Sequence, residues 1–343
     1  MKPLPPGEAL TDAERLDAIR HASVWAPTNV EAMDFKRGPQ GEGAYAPNEL
    51  VVCEYKKKKM NGVSPKFTCV TPNGEEIKVK YGSRNAEVFG EVLSTRLFWG
   101  LGFYADRVYP VRVKCRGCSS DPKHDDKPTK GEHTFELAAV ERKLPGRAME
   151  IAEDSGWKWS ELKEISPDAP KDEAVHRDAL KLLASFIQHS DSKAPNQRLL
   201  CPKGEEVGKK GCRKPIMMVQ DLGLSFGEAS LLNKNKNSAS YVDWTQTAVW
   251  NDKTKCIAEL KGSFTGRFSY PKISEAGRAF LAGLMMRMSD QQLRDLFEAA
   301  RIRKRSANPS SDPEKDTPPV SVETWVKAFK DKRAEIAGHR CAE

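Results

Sequence analysis

Residues 189–196 read His-Ser-Asp-Ser-Lys-Ala-Pro-Asn, and residues 216–223 read Ile-Met-Met-Val-Gln-Asp-Leu-Gly; these two segments decide the fold. The apolar residues that precede His189 recur at helical spacing, whereas the apolar runs at 199–200 and 216–219 are short and continuous, as in buried strands. The sequence therefore predicts a helix, a polar loop and two strands, with polar side chains on the loop and at the end of the second strand.

Four polar residues stand at fixed offsets in the first segment, as H-x-D-x-K-x-x-N, and the second segment ends in D-x-G; this spacing resembles the catalytic loop and metal-binding strand end of kinases. Asp191 is the candidate base for a hydroxyl group, and Lys193 is the candidate cation that neutralises a migrating phosphoryl group. Asn196 and Asp221 offer the oxygen ligands that Mg²⁺ or Mn²⁺ prefers. We therefore predict Asp191 and Lys193 as catalytic residues and Asn196 and Asp221 as metal ligands.

A second segment, His176-Arg177-Asp178, imitates the start of this motif. Five residues after Asp178 stands Leu183, which lies inside the predicted helix of residues 172–188 and offers no metal ligand. We expect this triplet to lie on a solvated helix face.

The composition indicates a soluble globular chain, because 38% of the 343 residues are hydrophobic and 30% are charged. This length suits one two-lobed domain or two ordinary domains. The sequence contains no apolar run long enough to span a membrane and no signal-peptide core at its N-terminus, so the cytoplasm is the default expectation. The net charge of +8 suits an anionic ligand such as a nucleotide, but it is too diffuse to indicate nucleic acid.

The cysteines leave three alternatives open. Six of the eight fall into local pairs: Cys53 with Cys69, Cys115 with Cys118, and Cys201 with Cys212. They could be free thiols, or disulfides in a periplasmic or secreted protein. A zinc knuckle of the C-x-x-C pair with His124 or His133 is the third alternative.

Five strands with one helix between the third and fourth are predicted in the N-terminal half, which is the order of a kinase N-lobe. The strands are residues 50–55, 66–71, 76–81, 107–114 and 134–140, and the helix is residues 85–100. Lys80 on the third strand takes the position of the phosphate-binding lysine. Lys78 is the fallback, because side chains two apart on a strand share a face. Within the helix, Glu91 shares a face with Val88 and is expected to pair with the lysine, whereas Glu87 is expected to face water.

Two loops of this half are candidates for nucleotide contacts. In residues 56–65, four lysines with Gly62 and Ser64 could cover phosphates, or the loop could be a solvated turn. Residues 141–146 occupy the position of a hinge, and we expect the segment with Glu141 and Lys143 to hold adenine.

The remaining boundaries follow from helix caps and composition. Thr11 and Ser289 begin capping boxes, and Ser274 and Ser321 precede apolar-periodic segments. Residues 202–214 are expected to form a surface hairpin. The predicted units are an N-terminal arm (1–45), an N-lobe (46–145), a C-lobe (146–302), a flexible linker (303–320) and a C-terminal helix region (321–343).

Residues 85–91, Asn-Ala-Glu-Val-Phe-Gly-Glu, with the later Arg96-Leu97 and Leu101-Gly102, resemble the helix of HipA-type kinases. The chain thus resembles an atypical bacterial branch of the protein-kinase-like superfamily, which also includes phosphoinositide-kinase-like proteins. This resemblance implies an α+β, two-lobed fold with an antiparallel-sheet N-lobe, one long helix and a mainly helical C-lobe. It also implies ATP, Mg²⁺ or Mn²⁺, and phosphorylation of a hydroxyl group.

The expected function is that of an ATP-dependent phosphotransferase acting on a protein or a small molecule. The sequence lacks a G-x-G-x-x-G loop and an A-P-E motif, so the acceptor does not follow from it. Two alternatives remain: a catalytically inactive nucleotide-binding or interaction module, and transfer of AMP on the same fold.

Overall fold

Five strands in the N-terminal half close into a barrel. In this computed structural model, which describes residues 8–60, 62–152, 155–232, 237–264, 266 and 268–342, the strands are β1 (Leu50–Lys56), β2 (Lys66–Val70), β3 (Glu76–Tyr81), β4 (Arg107–Arg116) and β5 (Glu132–Arg142). Their order is β1-β2-β3-β5-β4, and β1 pairs in parallel with β4 to close the ring. The five predicted strands are present, but the predicted all-antiparallel sheet is corrected to a closed barrel, because alternate apolar residues of every strand share one interior core.

Helix α2 (Glu87–Leu101) runs between β3 and β4, as the sequence predicts. Of its 15 residues, Trp99 alone is not buried, so the helix lies between the barrel and the rest of the molecule. It ends at Gly102, whose φ of 86° is the left-handed conformation that glycine adopts most readily. The barrel is thereby joined to the main hydrophobic core, which contains Val88, Val92 and Leu97.

A second sheet follows the barrel in the chain. It consists of β6 (Gly146–Ala148), β7 (Gln197–Pro202) and β10 (Ile216–Val219), in the antiparallel order β10-β7-β6. Between β7 and β10 lies a hairpin of β8 (Glu206–Val207) and β9 (Gly211–Cys212), which confirms the predicted surface hairpin. Helix α3 (Glu173–Phe186) precedes β7, so the polar loop 189–196 connects a helix to this sheet.

The other elements are mainly helical: α1 (Asp12–His21), α4 (Tyr241–Gln246), α5 (Glu275–Met286), α6 (Asp290–Ala299) and α7 (Val322–Gly338), with the short strands β11 (Trp250–Asp252) and β12 (Ile257–Ala258). The predicted capping boxes at Thr11 and Ser289 are present, and Ser274 and Ser321 cap α5 and α7. The apolar face of α7 is buried, with Trp325 stacked on Trp244. In the described part of the chain, no helix has the length and apolar character that crossing a bilayer requires.

Residues 303–320, predicted to be a flexible linker, contact the barrel side of the molecule. Arg305 is buried and donates to the backbone carbonyl oxygens of Arg84 and Ser238. Arg84 in turn pairs with Asp316 at 2.8 Å. The described residues exclude residues 1–7 of the predicted arm, residue 61 of the predicted N-lobe, residues 153–154, 233–236, 265 and 267 of the predicted C-lobe, and residue 343.

The triplet that imitates the catalytic motif is not on a solvated face, so that prediction is wrong. Arg177 is 1% exposed and pairs with Glu173 at 3.1 Å. Its guanidinium donates to the backbone carbonyl oxygens of Ile19 and Ala22. A planar group with five N–H donors can join the end of α1 to α3 in this way.

All eight cysteines are paired as disulfides: Cys53 with Cys69, Cys115 with Cys118, Cys201 with Cys212, and Cys256 with Cys341. The three local pairs are those that the spacing suggests. The structure thus shows the disulfide alternative; Cys115 and Cys118 of the zinc-knuckle alternative are bonded to each other, and the exposed His124 contacts Asp121 at 2.7 Å.

Candidate active site

Lys80 lies on the barrel strand β3 and is the centre of a buried charged cluster. Its Nζ lies 2.6 Å from Glu87 Oε2, 2.7 Å from Glu91 Oε2 and 3.9 Å from Asp221 Oδ1. Only 1% of Lys80 is exposed. The structure thus brings together the lysine, the helix glutamate and the D-x-G aspartate that the sequence singles out.

The expectation that Glu87 faces water is wrong. Glu87 is buried, and its carboxylate contacts both Lys80 and the hydroxyl of Ser64. Residues four apart on a helix share a face, so the first turn of α2 presents Glu87 and Glu91 to β3 together.

The three carboxylates around Lys80 determine its electrostatics. Burial alone would lower the pKa of Lys80, but Asp221, Glu87 and Glu91 hold that pKa well above its usual value. Burial would likewise raise the pKa of Asp221, but Lys80 and Lys78 hold it well below its usual range. Burial raises the pKa of Glu91 to about 8, against the opposing effect of Lys80. The nearby carboxylates therefore keep the buried ammonium of Lys80 charged.

Backbone contacts connect the polar loop to this cluster. The amides of Gln220 and Asp221 donate to the carbonyl oxygen of Asn196 at 2.7 and 3.3 Å. The side-chain amide of Asn196 donates to the carbonyl oxygen of Asp191 at 2.7 Å, and Lys193 Nζ lies 2.8 Å from Asp191 Oδ2. The predicted catalytic residues Asp191 and Lys193 and the predicted metal ligands Asn196 and Asp221 thus occupy one region just after β10.

His189 holds the start of this loop in the core. The amide of Ser190 donates to the carbonyl oxygen of Leu224, and the amide of Phe226 donates to that of Ile187, so the chain after D-x-G runs beside the loop. His189 is 1% exposed, and neither ring nitrogen has a hydrogen-bond partner among the described residues. Burial lowers the pKa of His189 to about 4, so the ring is neutral near pH 7.

The D-x-G glycine is required by close packing against α2. A β-carbon on Gly223 would lie 2.6 Å from Glu87 Cγ, closer than two carbon atoms approach without moving. The amide of Gly223 also donates to Asp221 Oδ1 at 3.1 Å. The glycine therefore lets Asp221 and Glu87 approach Lys80 from two different elements.

The loop of residues 56–65 contributes to the cluster through one residue. Ser64 is buried and donates to Glu87, whereas the carbonyl oxygen of Gly62 accepts from Lys123 Nζ at 2.7 Å. The lysines at positions 56 and 58 pair with Glu76, and the lysine at position 57 pairs with Asp126, all on exposed surface. These pairs favour the solvated-turn alternative for the three lysines.

The predicted hinge carries a second set of charges. The buried Glu141 pairs with Lys78 and Lys143, and Lys143 Nζ lies 3.2 Å from Asp106 Oδ2. Burial would raise the pKa of Glu141, but Lys143 and Lys78 hold it well below its usual value. The amide of Leu144 already donates to Asp106 at 2.7 Å, and Lys78 pairs with Glu141 rather than with α2.

The sequence analysis missed Lys66, which lies opposite Lys80 in the pairing of β2 with β3. A β-carbon on Gly62 would lie 3.0 Å from Lys66 Nζ, so this ammonium lies under the loop. Burial lowers the pKa of Lys66, and Glu87 opposes that shift. Only the register of β2 against β3 shows that Lys66 lies beside Lys80, and the sequence pattern does not specify that register.

Comparisons with models of known families and with curated proteins find no match. Among solved structures, the chain is similar to the proinflammatory kinase CtkA of Helicobacter pylori, with a TM-score of 0.44 and 9% identity over 85% of this chain and 96% of that one. It is also similar to the Rio2 kinase of Chaetomium thermophilum in its ADP/Mg²⁺-phosphoaspartate complex, with a TM-score of 0.28 and 9% identity over 50% of this chain and 48% of that one. Both TM-scores lie below 0.5, so a functional proposal rests on the residues of this chain.

Proposed function

We propose that the chain is a protein-kinase-like phosphotransferase that uses ATP with Mg²⁺ or Mn²⁺ to phosphorylate a hydroxyl group on a protein or a small molecule. The observation that carries the proposal is the position of Asp221, which contacts Lys80 on one side and the backbone of Asn196 on the other. Asp191 joins the same group through Asn196. Phosphoryl transfer requires these side-chain types in one place.

The element order supports a two-lobed arrangement of the kinase-like type. A five-stranded barrel with α2 between its third and fourth strands is followed by a second sheet and a helical region. Residues 143–145 connect the barrel to β6, where a hinge is proposed.

The residues present fit a nucleotide with a divalent cation. Among the described residues, Glu87 Oε2 and both carboxylate oxygens of Glu91 are buried without a hydrogen-bond partner, and Lys80 pairs with Glu87 Oε2 and Glu91 Oε2. Asn196 and Asp221 supply the oxygen ligands that would hold the cation. When bound, the cation would neutralise charge on the phosphates.

Each protein group then has a defined task in the proposed reaction. Lys80, held by Glu91, would bind phosphate oxygens, and Lys193 would compensate charge on the migrating group. Asp191 would accept the proton of the acceptor hydroxyl. Ser64 and Gly62 would lie over the phosphates, and the segment of Glu141 and Lys143 would contact the base.

Labelled ATP tests this proposal. We expect label from γ-labelled ATP, and none from α-labelled ATP, to enter an acceptor from cell extract in the presence of Mg²⁺. Asp221→Ala should abolish both this transfer and metal-dependent nucleotide binding. Transfer of the α label would instead indicate AMP transfer, and nucleotide binding without either transfer would indicate an inactive module; both results contradict the proposal.

A further inference from the structure

Four cysteines from distant parts of the sequence meet at one place in the barrel. Cys53 on β1 is the register partner of Cys115 on the neighbouring β4, and Cys69 lies on β2, on the other side of β1. Cys118 follows in the turn after β4. All four are at most 3% exposed and belong to the barrel core.

The sulfur atoms of the two neighbouring disulfides are close enough to share a ligand. Cys69 Sγ lies 3.9 Å from Cys115 Sγ, and the Sγ atoms of Cys53, Cys69 and Cys115 all lie within 4.8 Å of one another. Cys118 Sγ is bonded to Cys115 Sγ and lies outside this group of three, so it would join the other sulfur atoms only once the disulfide is reduced. Thiolates in a tetrahedron around Zn²⁺ at about 2.3 Å are separated by about 3.8 Å, which matches the distance between the two pairs.

We propose that the reduced chain binds one Zn²⁺ through the thiolates of Cys53, Cys69, Cys115 and Cys118. Two equivalents of a dithiol reductant would supply the four electrons and four protons that convert the two disulfides to thiols. Zn²⁺ then binds the thiolates with release of their protons. The two disulfides and the zinc ion are thus alternative crosslinks between the same four cysteines of the barrel.

The chemistry of the group favours zinc in a structural site. Four soft thiolates in a tetrahedral set are typical of zinc or of iron–sulfur clusters. Structural zinc sites have four protein ligands and no open coordination position, and the four cysteines here are buried. The ion would connect β1, β2 and β4 to the loop 117–131, which Tyr55 and Tyr81 also contact through hydrogen bonds to Asp126 and Asp121.

Metal binding by the full chain tests the proposal. The protein is reduced anaerobically until thiol titration returns all eight thiols, and is then given Zn²⁺ or Co²⁺. We expect one tightly held Zn²⁺ per chain, and with Co²⁺ the thiolate-to-metal charge-transfer bands and tetrahedral d–d bands of four sulfur ligands. The double variant Cys115→Ser/Cys118→Ser should lose both signals.

Two double variants are matched controls: Cys201→Ser/Cys212→Ser, and Cys256→Ser/Cys341→Ser, which removes a second cysteine cluster that includes His339. Both should keep the zinc and the four-sulfur cobalt spectrum. If Cys115→Ser/Cys118→Ser does not fold, the wild-type cobalt spectrum decides alone. A folded, reduced wild-type chain without these bands would overturn the proposal.

Discussion

Lys80 Nζ lies 3.9 Å from Asp221 Oδ1, so a barrel strand and the end of β10 share one buried charged cluster. The two strands belong to different sheets, and α2 places Glu87 and Glu91 beside the lysine. A buried ammonium surrounded by carboxylates is stable only while all partners remain in place. The proposed reaction and the stability of this region therefore depend on the same contacts.

Replacing Lys80 should affect both properties. Lys80→Met leaves the buried carboxyl groups of Glu87 and Glu91 and the partly exposed Asp221 without their cation, so we expect a loss of about 3–5 kcal/mol in the free energy of unfolding and a fall in turnover of about 100-fold or more. Lys78→Met is the matched control, because Lys78 is partly exposed and its partner Glu141 keeps Lys143. Denaturant unfolding and labelled-ATP transfer measure the two effects. Loss of turnover in Lys78→Met but not in Lys80→Met would show that Lys78, and not Lys80, contacts the phosphates.

Asp191→Asn should separate chemistry from binding. The amide keeps the size of the side chain but is a poor base, so turnover should fall by about 100- to 10,000-fold. Nucleotide affinity, measured by calorimetry with Mg²⁺, should change little. Asp178→Asn, which alters an aspartate paired with Lys181 on α3, is the control and should keep its turnover. Full activity in Asp191→Asn would exclude this residue as the base.

The buried His189 should make stability depend on pH. Its pKa is lowered to about 4 by burial, whereas in the unfolded chain it is near 6.5. The unfolded chain therefore binds more protons between these values, and stability falls as the pH drops from about 6.5 towards about 4, by roughly 3 kcal/mol. Unfolding at about pH 7.5 and about pH 4.5 should show a smaller loss for His189→Gln than for the wild type. Equal losses of stability in the two proteins would show that burial does not lower the pKa of His189.

Gly223→Ala should disturb the cluster through packing alone. The added methyl group would displace Glu87, which Lys80 and Ser64 hold in place, at a cost of about 1–3 kcal/mol. Gly131→Ala is the control, because a β-carbon there meets no atom within 4 Å and should leave stability nearly unchanged. Thermal unfolding compares the two variants. Equal stability would mean that the D-x-G segment does not pack on α2 as described.

Local features of this fold could be predicted because they depend on neighbours in the sequence. A serine or threonine with a glutamate or glutamine three residues later is enough for a capping box, as at Thr11 and Ser289. Period-two alternation predicted the five barrel strands, and α2 was predicted from helical spacing. The fixed offsets of Asp191, Asn196 and Asp221 marked the candidate site.

The sequence by itself determined the residue types of the site and the elements that carry them. Only the tertiary structure decided which of these residues meet: it buried Glu87 beside Lys80, placed Lys66 opposite Lys80, and brought Cys69 close to Cys115. Strand register, barrel closure and the packing of α2 set those distances. Such contacts depend on shape and burial between distant segments, and spacing along a chain does not encode them.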